Sequence, residues 1–174
     1  MKKAITICLL AIALLAGGIA MDAKTTKKKS STGSSFNLKT VVTKASAYNY
    51  YPSNMSPGEV KSLMKDLGFT YQSSSRATVT NDFDETFDVD VLKFTKSGVT
   101  AEAYVGVKFV FKFNSSSNAK AFVTASKNAL GSKLRNRNSY YLYLHNNTYW
   151  DLKQSGSTVT IAFEICEDGG ESDY

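Results

Sequence analysis

The sequence predicts an α+β domain in which two helices pack on one face of a twisted antiparallel β-sheet. Three observations support this fold class. Residues 57–67 have a capped start and apolar residues at helical spacing. Residues 99–113 alternate between apolar and other residues with a period of two. Short β-rich segments separated by Asn, Gly and Ser then follow a second helix, and this element order favours an α+β architecture.

Residues 1–20 have the layout of a bacterial signal peptide. Lys2 and Lys3 precede an uncharged, mostly aliphatic run over residues 4–16, and such a run suits a cleaved signal. It is shorter than the ~20 apolar residues of a spanning helix. Small residues at Gly18 and Ala20 predict cleavage after Ala20. We therefore expect export to the periplasm or the extracellular medium, with no stable membrane insertion after cleavage.

The rest of the chain divides by composition into three parts. Residues 21–35 are rich in Lys, Ser and Thr, and they are expected to form a flexible tether because they have little apolar surface to bury. Residues 36–166 are predicted to form one domain, with halves at 54–113 and 114–166. Residues 167–174 are predicted to be an acidic, solvated tail.

The first predicted helix covers about 57–67. Ser56 is placed to cap it, Pro57 suits its first position and Glu59 completes a capping box. The apolar residues recur at i, i+3, i+4 and i+7, and Gly68 ends the helix. Residues 36–47 are ambiguous, because their apolar spacing fits a helix while a run of β-branched residues favours a strand.

A second helix is predicted at about 116–130. It begins after a serine run and ends at Gly131. One stripe of this helix is mostly apolar, and the helix is a little more polar than the first, so we expect one face to meet water. The stripe comprises Ala119, Phe122, Val123, Ser126 and Leu130.

Residues 99–113 are predicted to form one long strand that bends or bulges at Gly106. Phe109 and the other odd-numbered residues form its packed face, and residues 87–95 form its antiparallel neighbour. Further strands are predicted at residues 69–72, 76–80, 140–145, 149–154 and 159–165.

The element order also allows two repeats, each made of one helix followed by three strands. Aligning Gly68 with Gly131 matches Val60 with Val123 in the two helices. This element order resembles that of the β-lactamase inhibitory proteins, a family of secreted tandem-repeat inhibitors. The resemblance implies an inhibitor-like role for the chain.

Charge distribution argues against nucleic-acid binding. The chain has 21 Lys and Arg against 15 Asp and Glu, but six lysines and one acid precede residue 36. The remaining chain therefore holds 15 basic and 14 acidic residues, and its near-neutral balance is not typical of a nucleic-acid-binding domain. The partners we expect are a protein or another envelope or extracellular macromolecule, and the oligomeric state is left open.

The sequence predicts no cofactor, no metal and no catalytic residue. His145 is the only histidine, and Cys166 is the only cysteine after the signal, whereas zinc sites usually need several such ligands. No nucleophile elbow, phosphate-binding loop or zinc-protease motif is present. Residues 81–90 have oxygen ligands that suit calcium but lack the glycine and distant glutamate of an EF-hand loop.

The predicted binding surface is a sheet face that bears tyrosines. Tyr104 extends from the long strand, and the carboxyl-terminal hairpin adds Tyr141, Tyr143, His145 and Tyr149 if Leu142, Leu144, Trp150 and Leu152 point inward. Tyrosine combines a rigid apolar ring with a polar tip, which favours recognition of a partner.

These observations favour an exported, non-enzymatic binding module that is inhibitor-like or associated with the cell envelope. Two alternatives belong to other classes. One is a small secreted hydrolase, for which a Cys166 and His145 pair or converging carboxylates would be required. The other is a carrier that holds an apolar ligand between the helices and the sheet, behind Phe109 and Phe111.

Overall fold

The computed structural model describes residues 36–81 and 84–166, which form three α-helices and one eight-stranded antiparallel sheet. The signal, tether and acidic-tail predictions lie outside the described residues. The helices are α1 (Leu38–Tyr48), α2 (Pro57–Asp66) and α3 (Ser116–Leu130). The strands are β1 (Thr70–Thr80), β2 (Thr86–Lys96), β3 (Val99–Tyr104), β4 (Lys108–Phe113), β5 (Leu134–Arg137), β6 (Tyr140–His145), β7 (Thr148–Ser155) and β8 (Thr158–Ile165).

The strand order is β1-β2-β3-β4-β8-β7-β6-β5, so β4 and β8 join the two halves of the sheet. Each half is a meander of four strands, and the predicted three strands per half is therefore too few. The mixed α+β class with an antiparallel sheet is confirmed. The internal repeat stays a prediction.

Helix α2 begins as its sequence predicts. The hydroxyl of Ser56 accepts a hydrogen bond from the amide of Glu59, and the Glu59 carboxylate accepts one from the amide of Ser56 at 2.7 Å. These bonds complete a capping box. The Glu59 carboxylate also accepts from the Ser56 hydroxyl at 2.8 Å, and the bonds that it accepts from the Ser56 amide and hydroxyl lower the pKa of this carboxyl. Helix α3 is capped in a similar way by Ser115, whose hydroxyl accepts from the amide of Asn118.

The structure has three α-helices, whereas the sequence predicts two. The ambiguous segment 36–47 forms most of α1, which begins after Asn37, continues to Tyr48 and buries Leu38, Val41, Val42 and Ala45. The amide of Leu38 donates a hydrogen bond to the buried Ser126 hydroxyl of α3 at 2.9 Å. Packing against the other helices outweighs the modest cost of β-branched residues in a helix.

Residues 99–113 are not one bent strand, because the chain reverses completely at Gly106. Tyr104 pairs with Lys108, and the amide of Val107 donates to the carbonyl of Tyr104 at 3.0 Å across the turn. Gly106 has φ of 80°, as the third residue of a type II turn requires. A β-carbon on this glycine would also lie 2.9 Å from the carbonyl oxygen of Ser53.

One hydrophobic core joins the helices to the sheet. The buried faces of α1, α2 and α3 and alternate residues of β2 to β8 belong to it. Phe111 packs among three other phenylalanines of this core. The centre of its ring lies 5.2 Å from that of Phe36, 5.8 Å from that of Phe69 and 6.2 Å from that of Phe122. In residues 36–81 and 84–166, no helix has the length and apolar character to span a membrane.

Candidate binding surface

Within residues 36–81 and 84–166, the sheet has one face on which α1, α2 and α3 pack and one face without an α-helix. These are called the helix-covered face and the helix-free face, and the pairing register assigns residues to each. The helix-covered face contributes Phe109, Ile161 and Leu152, which are paired across β4, β8 and β7 and lie in the core. Paired residues of an antiparallel sheet point to the same face, and successive residues point to opposite faces. One row of the helix-free face runs across all eight strands as Ser75, Val91, Tyr104, Lys108, Ala162, Asp151, Leu142 and Arg135.

The five predicted site residues do not share this face. Tyr104 and Tyr149 lie on the helix-free face, and Tyr141, Tyr143 and His145 lie on the helix-covered face. In the β6–β7 hairpin, Tyr143 pairs with Trp150 and Tyr141 pairs with Leu152. Because Trp150 and Leu152 are fully buried, their partners must also point toward the helices.

The cause of this difference is the two-residue turn at Asn146-Asn147. Such a turn pairs odd with even residue numbers, so Leu142 and Trp150 cannot point to the same face. Both asparagines have φ of 51°, which is the backbone of a type I′ turn and matches the twist of the two strands. The Asn-Asn pair is a signal in the sequence from which this register can be derived.

Leu142 and Leu144 therefore lie on the helix-free face. Leu142 is half-buried beside Asp151, and Leu144 pairs with Tyr149 and is 54% exposed. Sequence reasoning missed both leucines as surface residues because apolar residues usually indicate the core side of a strand. An exposed leucine beside a tyrosine is apolar surface available to a partner.

A second apolar region lies on β2, at the other side of the helix-free face. Val89 and Val91 are buried but do not belong to the core. Phe87 lies on the same side of this strand and is 43% exposed. Val91 pairs with Tyr104, so this apolar region is continuous with the central row.

Tyr104 lies at the centre of the face among charged residues. Its hydroxyl is 3.4 Å from the Glu102 carboxylate, and the Lys108 ammonium lies 4.9 Å from the centre of its ring. Partial burial, followed by the negative charge of Glu102, raises the pKa of the Tyr104 phenol. The phenol is therefore a neutral hydrogen-bonding group at physiological pH.

Asp151 and Glu164 place two carboxylates on the same face, on neighbouring strands. Burial, with a smaller contribution from the charge of Glu164, raises the pKa of Asp151. Neither carboxylate forms one of the ion pairs found among the described residues, which are Arg76 with Asp90 and Lys93 with Glu102.

Tyr143 and His145 stack on the helix-covered side near the end of β6. Their ring centres are 5.8 Å apart, and the Tyr143 hydroxyl is 3.4 Å from Nδ1 of His145. Burial raises the pKa of the Tyr143 phenol. Thr148 pairs with both His145 and Ile165, so Cys166 lies at the same end of the strands. The amide of Cys166 donates to the carbonyl of Asn147 at 2.8 Å.

The described residues contain no group of three His, Cys, Asp or Glu side chains that could hold a metal ion. The candidate calcium segment 81–90 includes residues 82 and 83, which lie outside the described residues. Asp88 and Asp90 of this segment lie on β2. Asp88 accepts a hydrogen bond from the Thr78 hydroxyl at 2.7 Å, and the Asp90 carboxylate lies 3.7 Å from the Arg76 guanidinium. These two aspartates therefore stabilise the β1–β2 pairing.

Comparison of the chain with protein families, curated proteins and solved structures found no match. The functional argument therefore depends on the surface itself.

Proposed function

We propose that this chain is an exported, non-enzymatic binding module that binds a protein partner on its helix-free face. The observation that carries the proposal is the mixed character of that face, where exposed or half-buried apolar side chains alternate with charged groups. Leu142, Leu144 and Tyr149 provide the apolar part beside the carboxylates of Asp151 and Glu164. Apolar groups within a polar surround are typical of protein interfaces.

The chemistry of the surface indicates what a partner presents. An apolar side chain would pack on Leu142, Leu144 and Tyr149, and a Lys or Arg beside it would meet Asp151 and Glu164. Such a contact buries apolar area and supplies a positive charge to a carboxylate that is already partly desolvated. A partner of this kind is a protein with a basic residue next to an apolar side chain.

The core gives less support to the carrier alternative. The space behind Phe111 is filled by the rings of Phe36, Phe69 and Phe122, and Phe109 packs against Phe163 at 5.3 Å. An apolar ligand held there would have to displace these rings. Ligands usually bind instead in clefts that are already formed.

Site-specific photo-crosslinking tests the proposal. A photoreactive residue at position 142 or 149, introduced into the full chain in its native host, is expected to crosslink a discrete protein. The same residue at exposed Tyr50, outside the sheet, is the matched control and is expected to give no such product. Leu144→Ser with Asp151→Asn is expected to abolish the crosslink from position 149. Tyr50→Ser with Tyr71→Ser, which also removes exposed apolar groups, should leave it intact.

Equal crosslinking from positions 50 and 149, or an unchanged product in the Leu144→Ser, Asp151→Asn chain, would contradict binding on the helix-free face. Mass spectrometry of the protein recovered from the periplasm or medium tests export separately. The expected amino terminus follows Ala20. An intact Met1 terminus on a membrane-bound protein would overturn cleavage after Ala20, and recovery of the protein from the cytoplasm alone would overturn export.

A further inference from the structure

A concave site lies on the helix-covered side, between α3 and the β5–β6 turn. This basic cleft, as we call it, has a volume of about 380 Å³. The helix forms one wall, the turn at Asn138-Ser139 forms the other, and Tyr141 and Leu152 lie at the floor. A cleft of this size lies within the range of roughly 300–1,000 Å³ that small ligands occupy.

The charged residues that line the cleft are all basic. Lys120 and Lys127 extend from one face of α3, since residues three, four and seven apart lie together on a helix, and Arg137 ends β5. Arg137 pairs with Tyr140, so its side chain belongs to the helix-free face and only the two lysines place their charge on this side of the sheet. Neither lysine belongs to an ion pair among the described residues, and a bound anion would meet their positive charge.

The acids of this half of the sheet lie on the face opposite the cleft. Between residues 114 and 166 the only acids are Asp151 and Glu164, and both lie on the helix-free face. The basic cleft therefore faces away from the carboxylates of its own half. Its charge is complementary to an oxyanion.

The neutral lining indicates what carries the oxyanion. Thr124, Asn136, Asn138, Ser139 and Gln154 also line the cleft. Hydroxyl and amide groups both donate and accept hydrogen bonds, as the hydroxyls of a sugar require.

Nucleic-acid bases fit this cleft less well, because they usually stack on open aromatic rings. Here the Lys127 ammonium lies 4.3 Å from the centre of the Tyr141 ring and covers that face. The two helix lysines are separated by about 10 Å along the axis at 1.5 Å per residue, a spacing that suits a ligand of one or two sugar rings.

We propose that the basic cleft binds a saccharide that carries sulfate, phosphate or carboxylate groups. The cleft lies on the opposite side of the sheet from the proposed protein-binding face. It is therefore a second site, and the two proposals can fail independently.

Calorimetric titration of the full chain with a sulfated disaccharide derived from heparin tests the site. Lys120→Gln and Lys127→Gln together are expected to weaken binding at least about tenfold, because hydrogen bonds to charged groups are among the stronger polar contacts. The matched control is Lys61→Gln and Lys65→Gln, which removes the same charge from exposed positions on another helix, α2. This control should keep its affinity within about twofold of wild type, since distant surface charges are screened by salt.

Three further titrations separate the possible ligands. An unsulfated disaccharide and inorganic sulfate alone should each bind at least about tenfold more weakly than the sulfated disaccharide. Sulfate alone binding as tightly would overturn the saccharide and leave a simple anion site. A single-stranded oligonucleotide that binds more tightly through the same two lysines would also overturn it. Absence of binding, or equal loss in the control variant, would overturn the site itself. Far-ultraviolet circular dichroism should show both double variants folded.

Discussion

Two hairpins of the same sheet, β3–β4 and β6–β7, differ by one residue in the length of their turns. The three residues 105–107 connect β3 to β4, so odd-numbered Ala103 pairs with odd-numbered Phe109. The two residues Asn146 and Asn147 connect β6 to β7, so Tyr143 pairs with Trp150. After a three-residue turn, odd-numbered residues of both strands lie on the same face of the sheet. After a two-residue turn, odd-numbered residues of one strand share a face with even-numbered residues of the other.

The largest effect is expected at the core of the first hairpin. Phe111→Ala should lower the free energy of unfolding by about 3–5 kcal/mol, because it removes a buried ring and leaves a cavity. Phe111 is fully buried. Val110→Ala, which alters the neighbouring residue on the helix-free face, is the control. Urea denaturation should separate the two variants, and equal losses would contradict the assignment of the faces.

The turn of the first hairpin should be the next most sensitive position. Gly106→Ala is expected to cost about 2 kcal/mol, since a left-handed backbone disfavours a β-carbon. The added carbon would also meet the Ser53 carbonyl at 2.9 Å. Gly156→Ala, at a similar φ of 56° with open space around it, should cost less. Thermal unfolding of both variants measures the difference, and a larger loss at Gly156 would argue against the Ser53 contact.

The turn of the second hairpin should respond in opposite directions to two substitutions. Asn147→Ala is expected to destabilise the protein by about 1 kcal/mol, and Asn147→Gly to stabilise it by about 0.5 kcal/mol. Both expectations follow from the positive φ of 51° at this residue. Urea denaturation measures both. A stabilising alanine would show that this turn is not type I′ and that the register of β6 is different.

Asp151 offers a pH-dependent test of its half-buried position beside Leu142. Its pKa is raised above the usual 3.8, so the folded protein holds this proton more tightly than the unfolded chain. The Asp151 contribution to stability therefore falls as pH rises through the raised pKa. Asp151→Asn should add about 0.5 kcal/mol at pH 7 after allowance for solvent screening.

The same Asp151→Asn variant should match wild type at pH 3, where the carboxyl is protonated in both states. Urea titrations at the two pH values give the comparison. Glu164→Gln, which removes the neighbouring charge, should show a smaller gain of the same sign at pH 7. A destabilised Asp151→Asn protein at pH 7 would place this carboxylate in a favourable interaction instead.

The smallest effect is expected at Leu144. Leu144→Ser should change stability by no more than about 0.5 kcal/mol, as surface substitutions generally do, because this side chain is 54% exposed. The comparison variant is Leu152→Ser, which changes a fully buried leucine on the neighbouring strand β7 and should be severely destabilising. Thermal unfolding of the pair tests the register of β6, since a large loss at Leu144 would mean that this leucine points to the core.

The predictable part of the fold depends on local signals that tertiary contacts reinforce. Ser56 and Glu59 form the expected capping box because both groups lie within one helical turn. Charged residues on one side of β4 and phenylalanines on the other indicate its buried face. Strand β6 has no such contrast, because its leucines and tyrosines are apolar on both sides.

The candidate site was harder to derive than the fold. The alternation in the sequence predicts Tyr141, Tyr143 and His145 on the same face as Tyr104 and Tyr149, but the two-residue turn does not allow the pairing that this requires. Tyr141 instead lies in the basic cleft between α3 and the β5–β6 turn. That cleft joins residues from separate elements, so it has no signature in a single segment.

By itself, the sequence determined the capped helices, the antiparallel class and the buried faces of β4 and β8, because those patterns act over a few neighbouring residues. Only the tertiary structure shows that residues 38–48 form a helix and that the leucines of β6 lie on the helix-free face. Packing against α3 stabilises α1 as a helix. Burial of Trp150 and Leu152 fixes the face of their partners Tyr143 and Tyr141, and so places the leucines of β6 on the other face. Both depend on contacts between residues far apart in the chain, where local preference is nearly balanced.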